Sequence, residues 1–153
     1  GAEGEAEAVL REGTARSPAA APLHYALGLT LTRQKRSADA LREFAKAEKL
    51  APGNARYAYV HAVALADAGK PGEAVRALKA ALKASPYDRD LLFGLAHYSA
   101  AVGDRGAALG YATQLALLDP ERHVVDSGEA AETLHQPFYR QHSRTSAGFF
   151  VGA

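Results

Sequence analysis

Four prolines, Pro18, Pro52, Pro86 and Pro120, stand 34 residues apart along a chain of 153. A proline cannot continue a helix, and it pushes the residue before it out of the helical region. An even series of prolines therefore stops the chain at the same point of a repeating unit. Three full units lie in that register, at 21–54, 55–88 and 89–122. A period of this length is a strong constraint, because each unit is one supersecondary element that buries its apolar face only by stacking on its neighbours.

Each unit reads as two helices. The first helices are expected over 22–34, 55–68 and 89–102 and the second over 37–50, 71–84 and 105–118, with breaks at Gln34-Lys35-Arg36, Gly69-Lys70-Pro71-Gly72 and Gly103-Asp104-Arg105. Pro71 falls near a helix start, where its missing N–H costs nothing. Alanine supplies 35 residues and aromatics only 8%, so the 48% apolar content is carried by small side chains with high helix propensity. Ala40, Ala74 and Ala108 recur on the second helices, followed by Phe44, Leu78 and Ala112, then by Ala47, Ala81 and Leu115. On the first helices the matched sets are Leu27-Gly28-Leu31, His61-Ala62-Leu65 and Leu95-Ala96-Ser99. Gly and Ala at a crossing let two helix backbones approach closely.

This pattern resembles the tetratricopeptide repeat. The first unit carries that family's signature at Leu27, Gly28, Ala40, Phe44, Ala47 and Pro52, whereas the other two keep Ala, Ala or Leu, and Pro but lose the Gly. The family's early Trp is replaced by His24, Ala58 and Leu92. The resemblance implies an all-α, right-handed solenoid of three repeats within residues 1–136. A half-repeat helix over 3–17 would open it, since Ala6 and Leu10 fall one period before Ala40 and Phe44, and a capping helix over 124–136 would close it. Residues 137–153 lose the helical period, and Phe138, Tyr139, Phe149, Phe150 and Val151 make them an apolar tail that is expected to pack on its own domain or on another copy.

Charge and motif content exclude most chemistry. Lys+Arg is 18 against 17 Asp+Glu, far from the basic bias of a nucleic-acid binder. There is no cysteine, and no run of apolar residues is long enough for membrane insertion. No phosphate loop, His-Glu-x-x-His helix, calcium loop or nucleophile–base motif occurs. His24, His61 and His97 sit at places 4, 7 and 9 of their units and so face different ways, while His123, His135 and His142 lie in the irregular end. The expectation is a chain with no enzymatic activity, cofactor, metal or small-molecule substrate. The absence of Met suggests a removed N-terminal segment, which favours a periplasmic or extracellular place over the cytoplasm, or else Gly1-Ala2 is a remnant of cloning.

Within the resembling family the inner face is lined by places 2, 5, 9 and 12 of the first helices. Place 5 holds Tyr25, Tyr59 and Phe93, and place 9 holds Leu29, Val63 and His97. These six residues are the expected partner-binding groove for a peptide or helix. Members that clamp a peptide's terminal carboxylate carry Lys and Asn there, so that specificity is not expected. Three readings follow: a protein-interaction scaffold, a subunit that self-assembles head to tail through its terminal helices and tail, and an accessory domain of a larger protein. For the last, the stretch YAYVHAVALADAGKPGEAV looks similar to units that trail periplasmic multihaem cytochrome-like proteins.

Overall fold

The structure, a computed structural model, describes residues 1–118. The expected capping helix over 124–136, the end of the third unit at 119–122 and the tail with Phe138, Tyr139, Phe149, Phe150 and Val151 lie outside the described residues. Seven helices follow one another among the described residues: α1 Ala2–Arg16, α2 Ala21–Arg33, α3 Ser37–Leu50, α4 Ala55–Asp67, α5 Pro71–Ala84, α6 Arg89–Ala101 and α7 Arg105–Leu117. Among the described residues there is no strand. Every helix packs on the next, and α4 also touches α6.

The register appears in the backbone as well as in the helix ends. The residues that precede Pro18, Pro52 and Pro86 are Ser17, Ala51 and Ser85, with φ of −133°, −131° and −134°. Each has left the helical region, as a following proline requires. The turn inside each hairpin uses one left-handed residue, at Lys35 (φ 59°), Gly69 (φ 79°) and Gly103 (φ 85°), again 34 apart. Two of the three are glycine, which adopts that conformation without a Cβ clash, and the first hairpin accepts the strain of a lysine there. Asn54, Asp88 and Asp104 cap the helices that follow them, each accepting a bond from the backbone N–H three residues on.

Close approach at small residues sets the packing. Ala40, Ala47, Ala74 and Ala81 are all buried, as are Phe44 and Leu78 beside them. A Cβ on Gly28 would stand 2.5 Å from the Phe44 ring, so the α2–α3 crossing needs a glycine. A second close approach falls at Gly94, where a Cβ would stand 2.9 Å from Leu78 and 3.2 Å from Tyr59. The matching residues of α7 (Ala108, Ala112 and Leu115) are only half-buried, and α7 buries no residue fully.

Two histidines enter this apolar framework, and α3 answers both. His24 of α2 is buried, with Nδ1 2.7 Å from the Glu43 carboxylate and Nε2 2.8 Å from the Pro18 carbonyl. His61 of α4 meets Glu48 through its Nδ1. Glu43 and Glu48 are five residues apart, about 140° around the helix, so they reach neighbours on different sides of α3. Burial drives the Glu43 carboxyl upward, but hydrogen bonds from His24 and Lys46 outweigh it and hold the group below its ordinary value. On the surface, Arg36 joins Glu7 of α1 (2.8 Å) to Asp39 of α3 (2.7 Å).

Two outcomes follow from this packing. Ala74→Leu, and likewise Gly28→Ala, should overpack a helix crossing and cost about 1–3 kcal/mol in urea unfolding. Ala108→Leu, on the half-covered α7, should cost clearly less. The second outcome concerns acid. A carboxyl held low in the folded state adds stability above its unfolded value near 4.5, and that stability is lost as pH falls through the folded value. Glu43→Gln should therefore be less stable than the parent at neutral pH, and the gap should close as pH falls below 4.5 and through the folded value. Denaturant midpoints of both proteins across that range check the sign.

Candidate functional site

The first helices α2, α4 and α6 carry all six residues expected to line a groove, but the structure treats them unequally. Tyr59 is 6% exposed and packs beside Gly94 of α6. Its ring therefore fills the seam between the second and third units instead of lying on a contact surface. The physical reason is the glycine: without a Cβ at 94, the α6 backbone admits the ring. Tyr25 is half-buried, 5.2 Å from the Tyr57 ring and 6.2 Å from that of Phe44. Burial raises its phenol above the usual value, although the Arg56 guanidinium pulls the other way. Place 5 thus points forward to the next unit in both cases.

Leu29, Val63, Phe93 and His97 are half-buried. Phe93 and His97, one turn apart on α6, stack with centroids 6.3 Å apart and planes within 3°. His97 also meets the edge of Tyr98 at 5.0 Å. Leu29 and Tyr25 lean on the core cluster of Leu27, Leu31, Ala40 and Phe44. What results is a row of partly covered apolar and aromatic side chains along three successive first helices, each backed by packed core. Such a row offers contact area and shape. Among the described residues no cluster of His, Asp and Glu could hold a metal ion. No helix among them is long and apolar enough to cross a membrane.

Sequence reasoning left out Tyr57, which the structure places against Tyr25, and Glu43 and Glu48, the carboxylate partners of His24 and His61. The signal for Glu43 was present: His24 stands at the place of the family's Trp, a site that faces the second helix. A polar side chain there needs a polar answer from α3.

Comparison with known proteins agrees with this architecture. The tetratricopeptide repeat family model matches residues 58–98. No curated protein matches the chain. Among solved structures, a crystal structure of MamA superposes with a TM-score of 0.71 at 16% identity, covering 80% of this chain and 71% of that one. MamA of AMB-1 gives 0.65 at 24% identity, over 78% and 70%, and MamA of MSR-1 gives 0.65 at 24%, over 78% and 69%. At these identities the likeness speaks for the fold. Proline register, left-handed turn residues, small-residue crossings and the family match over 58–98 converge on one conclusion: the chain has the all-α helical-repeat fold of tetratricopeptide-repeat proteins.

Proposed function

We propose that the face formed by α2, α4 and α6 binds a peptide or helix of a protein partner without covalent chemistry. The observation that carries this reading is the row of half-buried Tyr25, Leu29, Val63, Phe93 and His97 across three units. Aromatic side chains supply large contact area at small entropic cost, and they dominate interface energies when a groove buries them. The core beneath fixes their positions before a partner arrives, which reduces the ordering cost of binding. Tyr59 serves this face from below, by holding α4 against α6.

A second reading, head-to-tail association of copies, draws on α1 at one end and on the helix expected over 124–136, outside the described residues, at the other. α1 buries no residue fully, and Val9 on it is 69% exposed. Joining unlike ends gives a heterologous contact, which builds a ring or a filament. The residues of the apolar tail, Phe138 to Val151, would add to that joint.

Selection from a random peptide display library tests the first reading. Enriched peptides should bind the parent and lose affinity by tenfold or more against the Tyr25→Ala, Phe93→Ala double variant, with helicity intact, since a true aromatic anchor is worth roughly 2 kcal/mol. Tyr59→Ala should instead lower the melting temperature. Absence of any enriched peptide, or equal binding by the double variant, refutes the groove. For the second reading, light scattering across a concentration series should show mass growing with concentration and shrinking on deletion of 137–153. A constant monomer mass rejects it.

A further inference from the structure

A cavity of about 630 Å³ opens between α1, the α1–α2 loop, α2 and α3, and none of the residues of the row described above lines it. Its volume lies within the range of ligand sites, roughly 300–1,000 Å³. The floor is apolar: Leu27, Pro18, Ala15 and Leu50. Its rim carries three cations, Arg11, Lys46 and Lys49, against one carboxylate, Glu43. That carboxylate is already taken, since it accepts from both His24 and Lys46. Arg11 is shared with Glu7, and Lys49 makes no ion pair among the described residues. Lys49 is thus the rim cation left without a paired carboxylate among the described residues, and it stands above an apolar floor.

The repeat register shows that this arrangement is peculiar to one junction. One period on, Arg11 becomes Ala45, Lys46 becomes Ala80 and Leu50 becomes Ala84, and only Lys49 has a counterpart, Lys83. The His24–Glu43 pair becomes Ala58 and Ala77, then Leu92 and Tyr111. A feature required by stacking would recur with the stack, whereas this one does not.

We propose that the cavity docks an acidic peptide segment carrying one apolar side chain. The apolar side chain covers Leu27 and Leu50, and flanking carboxylates meet Lys49, Lys46 and Arg11. The His24–Glu43 pair shapes the wall and, being matched within itself, does not repel the ligand. A polyanion without an apolar side chain would leave the floor wet, which disfavours simple nucleic-acid or phosphate capture.

Fluorescence anisotropy of a labelled EELEE peptide on the full chain tests the assignment. EELEE should bind, EEEEE should bind at least fivefold more weakly, and KKLKK should not bind. Lys49→Glu should weaken EELEE by tenfold or more with an unchanged circular dichroism melt. Lys83→Glu, the register mate, should leave binding unaltered, as should the Tyr25→Ala, Phe93→Ala variant, which separates this site from the other. The assignment is overturned by no binding at millimolar protein, by equal binding of EEEEE or KKLKK, by an unaffected Lys49→Glu, or by equal losses at Lys83→Glu or in the aromatic double variant.

Discussion

The close approach of helix backbones at small residues underlies the rest of this molecule. Ala40 and Ala74 are buried at equivalent crossings, and Gly28 leaves room for the Phe44 ring that a single methyl would block. Helices that approach this closely need little side-chain volume between them, which is why a chain with few aromatics can still build a core. The same geometry makes each hairpin incomplete. Its outward side is apolar and needs the next unit, so folding proceeds by stacking and the two ends inherit the unfinished faces.

Much of the fold was legible because the devices that stop and start helices are local. Proline at the end of a unit, a left-handed residue at the hairpin turn and Asn or Asp at the next N-terminus act over a few bonds, so the observed helix ends fall within about a residue of those read from the chain. The site was less legible because side-chain direction at a groove depends on neighbours far away in sequence. Tyr25, Tyr59 and Phe93 look equivalent in the register, yet the ring of Tyr59 is drawn inward by the missing Cβ at Gly94, which is not at a signature place. Periodicity reports which helix face a residue occupies. It does not report whether the adjoining unit has made room for it.

The polar residues show how a repeat acquires individuality. His24 takes a place filled by Ala58 and Leu92 in the other units, and His61 takes one filled by the buried Leu27 and Leu95. An imidazole buried without a partner would cost more than the apolar contact it replaces, so each histidine depends on a carboxylate from α3. The His24–Glu43 pair lies within one unit, whereas His61–Glu48 joins two and so restricts which unit can neighbour the second: the second helix of another repeat would present Leu82 or Ala116 where His61 meets Glu48. A stack of similar hairpins held only by Ala and Leu could slip by one unit. The His61–Glu48 pair makes the junction of the first two units distinguishable from a shifted one.

That individuality bears on function through the division of labour between the two sets of helices. The first helices carry the row of aromatic and aliphatic side chains, and their seams are filled by rings from the same row. The second helices carry most of the charge, with α3 holding Arg42, Lys46 and Lys49 on its exposed side. A substitution in the aromatic row changes core and surface together, because Tyr25 contacts Phe44 and Tyr57. A substitution at the end of α3 changes charge with little effect on packing, because Lys46 and Lys49 are exposed. Selection acting on binding can therefore move the charged side freely, while the aromatic side is tied to stability. Variation of function without loss of fold should begin on α3 and its surroundings, where the register is already broken.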